Sequence, residues 1–187
     1  MSGVRSRRAA REAALRAIYA KLAGQEEFDT ALAAAVEDLD LAPESVEFAH
    51  QIAEGVWRNQ EHLEAEFTPF LASGWTVSRL AVIDRALLNM ATWELHNLTG
   101  IPPKVTITEA IRLNKRYGSG ETTGFVNAVL GKVLAQSPKA NWDPSMEEAM
   151  EPDTIVEAEV VVEEIEEGTP EHEEIVKAGP WVIRAEE

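Results

Sequence analysis

A chain of 187 residues without cysteine has room for one ordinary domain and an extension, and it excludes disulfides, thiolate metal sites and cysteine nucleophiles. No run approaches the roughly 18 apolar residues that span a bilayer, and no apolar stretch follows the first arginines, so a cytoplasmic protein without a membrane partner is expected. The net charge of −16 argues against a nucleic-acid ligand only until it is divided. Residues 1–136 carry 14 Lys/Arg and 17 Asp/Glu, or −3, whereas residues 137–187 carry 3 and 16, or −13.

In chain order, residues 5–16 hold five arginines and one glutamate at the start of a helix whose later stripe is Leu15, Ile18 and Leu22, with Gly24 as its stop. Arg7 and Arg11 are four apart, Arg8 and Arg11 three apart, so all three can share a face. Cations at a helix N-terminus oppose its dipole, and a local rule broken repeatedly points to a site. Arginine offers forked donors to phosphate and a flat plane to unpaired bases, and Ala9, Ala10, Ala13 and Ala14 would let a nucleic-acid backbone approach. The plainer reading is a solvated basic arm.

A short helix is predicted from Phe28 to Leu39, then a break ending at Pro43, then a longer helix over 44–67 with an irregularity at Arg58-Asn59-Gln60-Glu61 and an end or bend at Pro69. His50 and His62 are twelve apart and are expected at the surface without metal-ligand partners. Gly74-Trp75-Thr76 opens the strongest helix, capped by Thr76 or Ser78. Its broad apolar face of Leu80, Ile83, Leu87, Met90, Ala91, Leu95 and Leu98 belongs in the middle of a bundle. Its polar residues Arg79, Asp84, Arg85, Asn89 and Glu94 read as solvated surface or as a strip facing a partner.

After the rigid turn 99–103, residues 104–134 predict a helix ending at Gly118, the loop 119–124, and a last helix from near Phe125 that Thr122 or Thr123 would cap. This corner could hold an anion on backbone N–H groups. Without sustained period-two alternation, the expected fold is all-α: a compact bundle of six to seven helices. No Gly-rich phosphate loop, G-x-S-x-G elbow or H-E-x-x-H pattern occurs, so no enzyme, metal or cofactor is expected.

Several separated stretches also carry a family resemblance. They are Arg7 through Leu15, Trp75, Arg79-Leu80, Ile83 through Leu88, Glu94-Leu95, Lys104-Val105, Glu109-Ala110, Tyr117-Gly118 and Phe125 through Leu130. Collinear over about residues 5–136, they resemble the NusB family of bacterial transcription antitermination factors. The resemblance implies an RNA-binding domain over 1–136 that recognises the boxA element of nascent ribosomal RNA as a single strand. It would do so with NusE, a small-subunit ribosomal protein, and join elongating RNA polymerase with other Nus factors to suppress premature termination. Arg5, Arg7, Arg8 and Arg11 would neutralise phosphate or stack, with Tyr19, Glu121, Phe125 and Asn127 on or near the RNA track. The acidic position that takes part in the NusE contact maps onto Asp84, within the strip Arg79, Asp84, Arg85 and Glu94. Glu121 stands where the family is often acidic, whereas Thr122, Thr123 and Gly124 depart from its pattern.

The alternative is a protein-binding or self-associating helical module; a homodimer is compatible with the broad apolar helix. A cytosine methyltransferase carrying such a domain is dismissed, because the 51 residues after 136 cannot form a cofactor-binding α/β domain. Those residues, 137–187, form an acid-rich extension outside the resemblance, expected to be disordered through self-repulsion, with short apolar patches at Val160-Val161-Val162 and Trp181-Val182-Ile183. Its charge, opposite the only basic cluster, suggests competition with RNA for the arginine arm.

Overall fold

A computed structural model describes residues 3–25 and 27–146. Six α-helices run through them: α1 (Arg7–Leu22), α2 (Phe28–Asp38), α3 (Pro43–Phe67), α4 (Val82–Asn97), α5 (Pro103–Tyr117) and α6 (Thr123–Gln136), with short 3-10 turns at Thr68–Phe70, Val77–Arg79 and Pro144–Met146. None of the described helices is long and apolar enough to cross a membrane.

The Oγ of Ser6 accepts from the backbone N–H of Ala9 at 3.2 Å, which caps α1. The preceding segment is held too. Val4 donates to Asp40 O and its own carbonyl accepts from Ala42 N at 2.9 Å, and a Cβ on Gly3 would stand 2.7 Å from that backbone, so the approach needs glycine. Ala10, Ala13, Ala14 and Ala17 are fully buried. Of the alanines expected to admit a nucleic-acid backbone, Ala10, Ala13 and Ala14 instead admit neighbouring helices, because close helix packing needs small side chains on the facing stripe, and Ala9 is half-buried.

The long helix α3 runs unbroken through Arg58–Glu61, where an irregularity was expected, and ends at the 3-10 turn containing Pro69. α4 begins later than its sequence pattern suggests. Ala81 is its N-cap, Val77–Arg79 forms a separate turn, and the Thr76 and Ser78 hydroxyls face each other at 3.0 Å instead of capping. Leu80 closes that turn in an extended conformation, which breaks the helical run before it starts.

α4 is the central helix. Ala86, Leu87, Met90 and Trp93 join a cluster with α1, α2 and α3, while Leu88, Ala91 and Leu95 join another with Phe67, α5 and α6. A helix between two cores needs the wide apolar face read in its sequence. Where α3 crosses it, a Cβ on Gly55 would lie 2.2 Å from Cε2 of Trp93, so this glycine sets how closely the two helices approach.

The bundle continues past α6. Lys139 is fully buried and its Nζ donates to the carbonyl of Ile101 at 2.7 Å, and the indole N–H of Trp142 donates to Thr99 O at 3.1 Å. Residues 137–142 thus pack on the loop before α5, although the sequence assigns them to the extension. Burial pulls the Lys139 ammonium down to about 8, helped by Arg11 and opposed by Glu94. The disorder expected of the extension and its patches at Val160–Val162 and Trp181–Ile183 concern residues outside those described.

Candidate nucleic-acid interface

The arginines of α1 do not share one surface. Arg11 turns inward and forks onto Glu94 of α4, Nε to Oε1 at 2.9 Å and Nη2 to Oε2 at 2.8 Å, with only 2% and 1% of the side chains exposed. Thr106 also donates to Glu94, at 3.4 Å, and the Arg11 guanidinium lies 5.3 Å from the Phe48 ring centre. This corrects two expectations together: Arg11 is not on an exposed RNA face and Glu94 is not on a partner-facing strip. Two opposite charges facing each other across buried helix surfaces pair, because either alone would be strongly penalised.

The other arginines are reachable. Arg5 pairs with Glu44 at 3.3 Å, both exposed, Arg7 covers the Phe48 ring at 4.8 Å, and Arg8 is 58% exposed while donating to Glu109 at 2.9 Å. Glu109 also accepts from Arg112 at 2.9 Å. One turn on, buried Glu12 accepts from Arg16 at 3.1 Å, from Arg116 at 3.0 Å, and from the hydroxyl of Tyr117. Burial, then the bond donated to Glu12, hold the Tyr117 phenol above its ordinary value. The result is a seam of α1 and α5 in which two carboxylates each seat two arginines. Sequence reading missed Arg16, Arg112 and Arg116 as candidates. The signal was there, since Arg112 and Arg116 are four apart, the same spacing that singled out Arg7 and Arg11.

Tyr19 of α1 is half-buried against the first core; at the corner between α5 and α6, Phe125 is half-buried against the second, Glu121 is exposed beside Gly120, whose φ is 78°, and Asn127 is buried. Asn127 is therefore corrected from a surface contact to an inward-facing residue of α6. The anion of this corner is the protein's own. Asp84 accepts from Asn114 Nδ2 and from Thr122 Oγ1, both at 2.8 Å, and Thr123 donates to Asn114 Oδ1 at 2.9 Å. The two threonines expected as caps tie α6 to α4 and α5 through their hydroxyls, and neither makes a side-chain cap. Burial pushes the Asp84 carboxyl up, with the Thr122 and Asn114 bonds pulling the other way. Asp84, expected to face a partner, is 97% buried for this reason.

Of the partner strip, Arg79 remains exposed, donating to Gly74 O at 2.9 Å with its guanidinium 5.2 Å from the exposed Trp75 ring, and Arg85 forks onto Glu64 at 2.7 and 3.0 Å. His50 and His62 each face a glutamate four residues on, at 3.9 Å and 3.5 Å. That corrects the expectation that they lack such neighbours. Among the described residues no group of three or more His, Asp or Glu could hold a metal ion.

A family profile described as the NusB family matches residues 8–135, the same stretch that builds the six helices. The chain belongs to the NusB family. Transcription antitermination protein NusB of Symbiobacterium thermophilum is 36% identical over 137 residues, 69% of this chain and 89% of that relative. Its counterpart in Halalkalibacterium halodurans is 36% identical over 136 residues, 72% and 98%. The structure of T. maritima NusB is 30% identical, with a TM-score of 0.66, covering 72% of this chain and 95% of that one. A crystal structure of antitermination factors NusB and NusE in complex with dsRNA is 23% identical, TM-score 0.63, covering 70% and 96%; at that identity it speaks for the fold alone. As a member of the NusB family the chain is a transcription antitermination factor and not an enzyme.

Proposed function

We propose that this NusB-family chain binds the boxA element of nascent ribosomal RNA as a single strand, together with NusE, in the cytoplasm. It then joins the elongating RNA polymerase complex with other Nus factors and suppresses premature termination. The observation that carries this reading is the exposed part of the arginine array. Exposed Arg5 and Arg8, with half-buried Arg7 between them, stand on a segment pinned by Val4 and capped by Ser6, so their backbone is ordered before any ligand arrives. Exposed guanidiniums on an ordered helix start suit phosphate, and the half-buried rings of Tyr19 and Phe125 suit stacking of unpaired bases. Glu121, exposed in the loop before α6, can accept from a base edge.

In this reading Arg11, Asn127, Asp84 and Glu94 act from inside, holding the helices that present the contacts. The NusE-facing residues are Arg79 and Arg85 on the outer side of α4 and the turn before it.

Fluorescence anisotropy of a labelled boxA RNA tests it, with and without NusE, for the intact chain and for Arg7→Ala/Arg8→Ala. NusE should tighten binding and the double variant should weaken it. Three or four phosphate contacts to a single strand predict a log-log salt slope of roughly −2 to −3. Absence of binding under both conditions would leave a protein-only module, whose self-association is then read by sedimentation.

A further inference from the structure

The α1–α5 seam carries more positive charge than its buried carboxylates absorb. Four arginines, Arg8, Arg16, Arg112 and Arg116, stand on two glutamates, Glu12 and Glu109, which leaves +2. Arg8 and Arg116 keep 58% and 54% of their side chains in solvent. Lys104 and Lys115 are exposed on α5 and add to the same sign, while Asp38, bound to Arg16, and Glu44, bound to Arg5, subtract from it.

The chain leaves the bundle at one end of this seam. Lys139 is anchored on Ile101 O and Trp142 on Thr99 O, and both carbonyls lie in the loop that leads into Pro103, the first residue of α5. Residues 137–146 carry one lysine and one aspartate, so the whole −13 lies beyond Met146: residues 147–187 hold 15 Asp/Glu and 2 Lys/Arg in 41 positions. At about 3.3–3.6 Å per extended residue that stretch can span roughly 140 Å, more than enough to follow the seam.

We propose that the α1–α5 arginine seam is the docking surface of this chain's own acidic extension, residues 147–187, which occupies it until a nucleic-acid backbone displaces it. Ion pairs between exposed groups are individually weak, but tethering holds the acidic stretch at a local concentration of the order of millimolar. The contact is consequently reversible and sensitive to salt. RNA phosphates arriving at Arg8 meet an occupied surface, so only a ligand with many spaced phosphates, or one delivered with a partner, displaces the extension. The docking stands on charge and placement; its consequence for RNA rests on the reading of the preceding subsection.

The absence of cysteine makes a direct test available. Gly168→Cys in the full chain offers one thiol for a nitroxide label. At low salt, amide signals of residues 8–16 and 104–116 should lose intensity beyond the loss at residues 58–62 of α3. The excess should vanish near 1 M salt, where the screening length falls to about 3 Å. It should also vanish when Glu163, Glu164, Glu166 and Glu171 are all replaced by glutamine, which leaves the bundle untouched. Even broadening, broadening centred on another face such as exposed Trp57, or broadening indifferent to the glutamine variant would overturn the proposal. So would broadening carried over to unlabelled molecules in a mixed sample, which would mean docking between copies. Titration with single-stranded RNA should restore the signals, and the glutamine variant should bind that RNA more tightly at low salt; equal affinity would overturn the competition. Seam broadening with no RNA bound would keep the docking and reject the RNA reading.

Discussion

Arg11 of α1 and Glu94 of α4, 83 residues apart, form a two-pronged ion pair closed to solvent on both sides. Removing one partner strands a buried charge, so Arg11→Ala or Glu94→Ala alone should cost about 3–5 kcal/mol. The paired replacement Arg11→Met/Glu94→Leu should recover most of it. Urea unfolding of the four proteins checks this. Near-additive losses would mean that the pair does not act as a unit.

The same pair separates structural from contacting arginines. Arg8→Ala should reduce the steepness of the RNA salt dependence by about 0.7, the share of one phosphate on a single strand, whereas folded Arg11→Ala should keep the parent slope. Anisotropy titrations at several salt concentrations read both. A reduced slope in Arg11→Ala would return that residue to the RNA face.

Lys139 gives the fold an alkaline signature. Its folded value of about 8 lies below the ordinary 10.5, so between those values the unfolded chain binds more protons than the folded one. Stability attributable to this group therefore rises with pH from about 8 to 10.5, and the cost of keeping the buried ammonium charged is fully present below 8. The difference in melting temperature between the parent and Lys139→Met, followed over that window, should move in the parent's favour as pH rises. A flat difference would show the ammonium to be solvated.

Asp84 acts in the acid range with its own sign. Burial raises its folded value above 3.8, so the fold disfavours its charged form and this group's contribution to stability falls as pH rises from 3.8 through the folded value. Asp84→Asn should remove that slope while retaining an oxygen for the Thr122 hydroxyl. Thermal melts across this interval decide, and an unchanged profile in the variant would place the titration elsewhere.

Gly55→Ala should destabilise by about 1–3 kcal/mol, because the added methyl would meet Trp93 at 2.2 Å and force the indole or the helix to move. An unchanged denaturation midpoint would mean that the α3–α4 crossing gives way freely.

The sequence by itself determined the helical class, the ends of α1 and α5 near Gly24 and Gly118, the central place of α4, and the family. Each follows from local chemistry: apolar spacing, residues that stop a helix, and motifs in a preserved order. It also showed where basic residues concentrate. Only the tertiary structure decided which of them face out. Arg7, Arg8 and Arg11 look equivalent on a helical wheel, yet Arg11 meets Glu94 and Arg8 meets Glu109, partners 83 and 101 residues away that no local spacing announces. Asp84 went inward for the same reason, onto Asn114 and Thr122, and Lys139 was drawn from the extension into the bundle by the carbonyl of Ile101. A charged side chain reports its sign locally, but its burial depends on which distant element supplies the opposite charge or the hydrogen bond, and that is a property of the packed bundle.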